Sequence, residues 1–218
     1  MKSPALSVRD LAAQHRKIKT DIKKRLKGFS RLHKGADEDI FQELCFCILT
    51  ANANALHCDR AIKDVRNAGL LLKGRACQLK PKLKGRVRFH NKKADFIVLA
   101  RNLFKRGKGV NIKGRLDFSD PIAVREWLVD NIKGYGYKEA SHFLRNIGLG
   151  KDIAILDRHI LKNLKRYGVI GRVPASVGSR SVYLAIEDKM RDFSRRTGIP
   201  LAEMDLLFWS LQTGFIFK

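Results

Sequence analysis

Apolar residues recur three and four positions apart through most of the chain, the spacing of helices packed on one side. Residues 7–29 put Leu11, Ile18, Ile22, Leu26 and Phe29 on one stripe and Arg16, Lys17, Lys19, Lys23, Lys24, Arg25 and Lys27 opposite it. Ser7 followed by Asp10 is a capping-box pair. Gly28 to Gly35 reads as a connection. Residues 38–51 are apolar nearly all round (Ile40, Phe41, Leu44, Cys45, Phe46, Ile48, Leu49), which predicts a central, buried helix. Further helices are predicted over 55–65, 91–105, 158–167 and 180–196, from Pro121 into a glycine turn, from Ala140 onward, and from Leu201 to a stop at Gly214. Residues 69–90 read as short pieces broken by Gly69, Gly74, Pro81 and Gly85, and 106–115 as a Gly- and Lys-rich loop without a core. No strand-like alternation of any length appears, so the predicted fold class is all-α.

The chain is organised around one turn. Helical spacing (Val124, Trp127, Leu128, Ile132) leads into Gly134-Tyr135-Gly136, and another such run leaves it (Ala140, Phe143, Leu144, Ile147). The glycines are expected to supply positive φ values for a tight helix-to-helix hairpin. A helix leaving such a turn presents unpaired N–H groups and the positive end of its dipole, a seat for one phosphate. A Gly-x-Gly between helices is also read as a plain connector. Lys138, two residues past the second glycine, and Leu156-Asp157-Arg158-His159 downstream favour the more specific reading.

Charge narrows the partner. In 218 residues, 45 Lys+Arg face 21 Asp+Glu, a formal net charge of +24. Such an excess repels itself unless a polyanion uses it, and nucleic acid leads the candidates. Basic residues run along the whole chain, which disfavours a membrane surface. No run reaches transmembrane length and no signal-peptide core opens the chain, so a soluble intracellular protein is expected. Cys45, Cys47, Cys58 and Cys77 read as buried free thiols, with no zinc spacing and no ligand cluster for an iron–sulfur centre. No metal and no cofactor are expected.

The run Ile132-Lys133-Gly134-Tyr135-Gly136-Tyr137-Lys138-Glu139-Ala140, with Asp157 nineteen positions after Lys138, resembles the helix–hairpin–helix signature of the base-excision DNA glycosylases. The segment Glu43 to Asn52, the segment Gly134 to Asn146, and an ending with tryptophan in the last helix and a final lysine are similar to the compact, archaeal-type 8-oxoguanine DNA glycosylase/AP lyases. The likeness spans roughly 38–218. It departs at Lys133, where the family often has proline before the first glycine. The resemblance implies two helical lobes around a DNA-binding cleft. Lobe one is expected over about 1–38 plus 172–218, and lobe two over about 39–171 with the hairpin at 121–146. It also implies a monomer acting on duplex DNA that contains 8-oxoguanine, in the cytoplasm or nucleoid of a prokaryote.

The chemistry fits the residue types. Breaking an N-glycosidic bond passes through an oxocarbenium-like sugar, which a carboxylate beside it stabilises. Asp157 is the candidate, and it is equally well placed as a helix N-cap. Lys138 is the candidate nucleophile, forming a Schiff base that permits β-elimination. The amine must be neutral to attack, which calls for burial or nearby cations such as Lys133 or Arg158. The base must leave the stack. Phe89 and Trp209 are expected to sandwich it, with core packing as the competing reading of each. In the family resembled, the C-terminal lysine reads the damaged purine; here a carboxylate on Lys218 would accept the N7–H that guanine lacks. Asn52 or Asn54 is expected either to fill the gap in the duplex or to cap a turn. Lys133, Gly134, Gly136 and Arg158 complete the expected DNA contacts. Two other readings stay open at this point. One is a glycosylase of the same build for an oxidised pyrimidine or mismatched base. The other is a non-catalytic hairpin module, which would have no use for Lys138 together with Asp157.

Overall fold

A computed structural model describes residues 7–218; residues 1–6, assigned by the sequence to lobe one, lie outside the described residues. The described chain is helical: α1 (Val8–Lys34), α2 (Asp37–Thr50), α3 (Ala55–Asn67), α4 (Ala76–Leu83), α5 (His90–Phe104), α6 (Pro121–Asn131), α7 (Tyr137–Asn146), α8 (Arg158–Arg166), α9 (Arg180–Thr197) and α10 (Leu201–Thr213). A two-stranded hairpin, β1 (Lys105–Arg106) with β2 (Gly109–Val110), pairs Lys105 with Val110 and Arg106 with Gly109.

Helix starts follow their capping chemistry. Ser7 accepts from the Asp10 amide while Asp10 takes the Ser7 amide. Asn54, Asp120, Asp157 and Ser179 each cap the helix that follows them, and Pro121 occupies the first turn of α6.

The apolar residues form two clusters. One gathers α2 to α6 with most of α7, from Ile40 to Ile153. The other gathers α1, α8, α9 and α10, including Ala154, Leu156, Ile160 and Leu164. Along the chain, Ile153 packs into the first cluster and Ala154 into the second. Helix α8 belongs with α1, α9 and α10 because its apolar face meets α10.

Helix α7 serves both clusters. Tyr135 and the Ala140–Phe143–Leu144 face pack into the first, and Tyr137 packs into the second. The two tyrosines flanking Gly136 thus anchor the hairpin in opposite cores, and the Tyr135 hydroxyl donates to the Leu44 carbonyl at 2.9 Å.

Three local expectations are corrected. Helix α1 runs through Gly28 to Lys34, because Phe29 enters one core and Leu32 packs on the other. That burial outweighs the roughly 1 kcal/mol cost of an interior helical glycine. The stretch 106–115 does feed the core: the β1–β2 hairpin turns the chain so that Ile112 is fully buried. Cys77 is exposed, while Cys45, Cys47 and Cys58 are buried.

Candidate active site

The hairpin places Lys138, the candidate nucleophile. Gly134 has φ +90°, and an added Cβ there would lie 2.7 Å from the Phe96 ring. Gly136, expected to need positive φ, instead has φ −120° and ψ −172°, extended backbone open to any residue. Its amide donates to Glu139 Oε2 at 3.2 Å, so this end of α7 already holds a carboxylate at the place expected for a phosphate. The other Glu139 oxygen lies 3.4 Å from Lys138 Nζ. Lys138 stands in the first turn of α7, at the seam between the two cores, with about a fifth of its side chain exposed (21%).

Helix α7 carries Lys138, His142 and Asn146 on one stripe, four residues apart. His142 is buried edge-on to Phe46, and neither ring nitrogen has a partner among the described residues. Burial, reinforced by Arg145 and Lys138, drives its imidazole well below the ordinary histidine value and keeps it neutral. Asn146 donates to Glu43 Oε1 at 2.6 Å. Glu43 in turn accepts Lys218 Nζ at 2.9 Å, and Asp59 accepts the same ammonium at 2.7 Å. The ammonium also lies 4.1 Å from the Phe46 ring centre. Burial opposes charge on Lys218, yet Glu43 and Asp59 outweigh it and raise its pKa above that of an ordinary lysine. The C-terminal segment crosses the seam to reach this seat: Ile216 packs on one cluster and Phe217 on the other, with the Phe217 carbonyl accepting from Arg25 Nε at 2.9 Å.

A second lysine feels the charge of Lys138. Lys93, in the first turn of α5, is buried, and its Nζ donates to the carbonyls of Leu49 (2.8 Å) and Ala51 (2.6 Å). These acceptors end α2, where a cation meets the negative end of the dipole. Burial, with repulsion from Lys138 and Arg88, lowers the Lys93 ammonium to about 8. The cations expected beside Lys138, namely Lys133 and Arg158, are exposed, and the structure gives the buried position to Lys93 instead.

Asp157 caps α8, accepting from the amides of His159 and Ile160, each at 2.8 Å. Its charge is felt at Asp205 of α10, whose carboxyl burial raises despite Arg145 at 3.2 Å. Asn163 ties α8 to α10 by donating to the Phe208 carbonyl at 3.3 Å. That brings Trp209 edge-on to His159 at 5.0 Å, half-buried, with its indole N–H lacking an acceptor among the described residues. Trp209 is thus not absorbed into either core.

The remaining expected contacts lie on the surface. Phe89 is 54% exposed and holds φ +58°, with Arg88 over its ring at 4.8 Å. It immediately precedes α5, four residues before Lys93. Phe89 and Trp209 make separate ring contacts and do not stack on each other. Asn52 has φ +53° and is exposed beside the Ala51 carbonyl that Lys93 holds. Asn54 spends its side-chain oxygen on the His57 amide at 3.1 Å, the capping role. No group of three or more His, Cys, Asp or Glu side chains among the described residues is arranged to hold a metal ion.

This assembly was compared with known proteins. The family model described as 8-oxoguanine DNA glycosylase matches residues 22–199. The chain belongs to the 8-oxoguanine DNA glycosylase family. An 8-oxoguanine DNA glycosylase/AP lyase from Fusobacterium nucleatum is 42% identical over 206 residues, covering 94% of each chain. The protein of that description from Methanocaldococcus jannaschii is 44% identical over 202 residues, covering 92% of this chain and 93% of its own. The crystal structure of a Methanocaldococcus jannaschii 8-oxoguanine glycosylase/lyase with a 15mer DNA containing 8-oxoguanine superposes with a TM-score of 0.85. The two are 40% identical in sequence, and the match covers 95% of this chain and 99% of that one.

For a member of this glycosylase family, the sequence located the nucleophile and carboxylate candidates but missed the groups around them. Glu43 was hidden as the one acid within the apolar stretch Ile40–Leu49, and that position was its only signal. Lys93, beside Lys92 at the start of α5, carried no local signal of burial. Arg125, Tyr183 and Glu187 carried no local signal; a buried Arg125–Glu187 pair at 2.7 Å appears only once α6 and α9 are brought together.

Proposed function

We propose that this chain excises 8-oxoguanine from duplex DNA and then cuts the strand, with Lys138 as nucleophile and Asp157 as the carboxylate beside the sugar. The neutral Lys138 amine attacks the anomeric carbon as the bond to the base breaks and the base leaves with a proton. Opening of the sugar ring gives an imine. Loss of a proton from the adjacent carbon then expels the 3′ phosphate, which is β-elimination. Asp157 offsets the positive charge that develops on the sugar.

The observation that carries the reading is the position of Lys138 on the helix shared by both cores, close enough to the buried Lys93 to oppose its charge, in a chain of this family. Phe89 and the unpaired indole of Trp209 are read as the surfaces for the flipped base. Where the chain ends at Lys218, the carboxylate beside His142 is read as the acceptor for N7–H of the lesion, held in place by Glu43 and Asp59. Asn52 is read as filling the vacated stack. Lys133, Arg158 and the turn at Gly134 are read as backbone contacts, while the Gly136 amide is taken by Glu139. Asn54 supports that turn as a cap. The enzyme is read as a monomer that works with the genome of a prokaryotic cell.

Borohydride trapping on a duplex with one 8-oxoguanine tests the reading. A covalent band is expected for the untagged protein and none for Lys138→Gln or for undamaged duplex. A band of equal strength from Lys138→Gln would assign the nucleophile elsewhere.

A further inference from the structure

Asp157 does not fix its own place relative to Lys138: among the described residues its side-chain hydrogen bonds go to its own helix, at His159 and Ile160. Its position is inherited from Ile153–Leu156, an irregular and wholly buried segment whose backbone groups need partners outside helix or sheet. Helix α9 supplies them. The Tyr183 hydroxyl donates to the Ala154 carbonyl at 2.8 Å and accepts from the Leu156 amide at 3.2 Å. Glu187 Oε1 accepts from the Ala154 amide at 2.8 Å. Glu187 is then clasped by Arg125 of α6 through two bonds, at 2.7 and 3.0 Å.

The same group reaches the nucleophile's helix. The Arg125 guanidinium lies 5.7 Å from the Tyr137 ring, and the Tyr137 and Tyr183 rings are 5.4 Å apart. Tyr137 directly precedes Lys138. Arg125, Tyr183 and Glu187 are all no more than 2% exposed. A buried ion pair adds little stability over well-packed apolar side chains, so its value here is geometric.

We propose that Tyr183, Glu187 and Arg125 are positioning residues that hold the backbone entering Asp157 in register with the helix bearing Lys138. The inference rests on the reading of Asp157 as the sugar-facing carboxylate.

A double-mutant cycle tests it, measured as single-turnover excision at saturating lesion duplex, with Tyr183→Phe, Asp157→Asn and the pair. Tyr183→Phe keeps the ring and its packing. It is expected to slow excision by about 10- to 100-fold, as small misplacements do, while the Kd for lesion duplex stays within about twofold. In the Asp157→Asn background the same change is expected to cost less than about twofold, since the residue it acts through is gone. An equal loss in both backgrounds, or a loss confined to binding, overturns the proposal. Glu187→Gln retains an acceptor for the Ala154 amide and is expected to lose less excision than Glu187→Ala; equal losses count against the clamp. Amide exchange gives a readout independent of chemistry. Tyr183→Phe should speed exchange across 153–160 and leave α2 unchanged; unchanged protection overturns the clamp. If Asp157→Asn excises like the parent, the assigned role of that carboxylate fails, and the exchange experiment still decides the clamp.

Discussion

The seat of Asp157 and the edge that carries Phe89 and Asn52 are built on opposite terms. Around Asp157, every backbone group of Ala154 and the amide of Leu156 are claimed by buried side chains, and the carboxylate completes a helix cap. Around Phe89, a large aromatic stands mostly in solvent with left-handed backbone, and Asn52 repeats that backbone nearby. Charge stabilisation at a transition state rewards groups that do not have to move. A surface that must admit an extruded base needs side chains free to meet it. The rigid region fits the first task and the strained, exposed region the second.

The comparison breaks most visibly at Asp157. Asparagine caps a helix as well as aspartate does, so Asp157→Asn should leave the melting temperature nearly unchanged. Excision should nonetheless fall by roughly 10²- to 10⁴-fold. Asp157→Ala should add a stability loss of about 1 kcal/mol from the missing cap. Single-turnover rates beside thermal melts check both, and equal melting losses for the two variants would count against the capping account.

The hairpin gives the next largest effect. Gly134→Ala must hold φ +90° against Phe96 and should cost roughly 1–3 kcal/mol. Gly136→Ala, in extended backbone with Glu139 Oε2 3.5 Å from the new Cβ, should stay within about 0.5 kcal/mol. Denaturant titrations of the two variants read the difference.

Phe89 sharpens the contrast, because function and stability should move in opposite directions. Asparagine tolerates left-handed backbone and caps helices, so Phe89→Asn should stabilise the fold by about 1 kcal/mol. Binding to lesion duplex should weaken by about 1–3 kcal/mol for the lost stacking. Fluorescence anisotropy and denaturant melts measure the two effects.

Lys93, which holds the Ala51 carbonyl beside Asn52, is read through pH. Its pKa is about 8 when folded, against an ordinary 10.5. Between those values the unfolded chain holds a proton that the folded chain has released, so this group makes stability rise with pH across that window. Lys93→Met should flatten that part of the stability–pH curve. A slope unchanged by the substitution would show that the group does not titrate there.

Local chemistry made much of the fold legible. The Ser7–Asp10 box, the caps at Asn54, Asp120 and Asp157, the apolar run Leu44–Leu49 of α2 and the Gly214 stop all act within a few residues of themselves. What was not legible depended on distant neighbours. Helix α1 crosses Gly28 only because two cores await Phe29 and Leu32. Lys93 is buried only because the end of α2 offers it two carbonyls. Which core receives α8 was likewise not legible, because its apolar face does not reveal its partner. At the site, Lys138 and Asp157 stood out by spacing and resemblance, while the buried acids and hydroxyls around them are spread across α2, α3 and α9.

Because α7 lends side chains to both cores, neither lobe has a complete interior without it. Melting should therefore be a single cooperative event, with no half-folded species of long life. Lys138 and Asp157, carried on elements that lean on those two cores, should therefore gain and lose their places together.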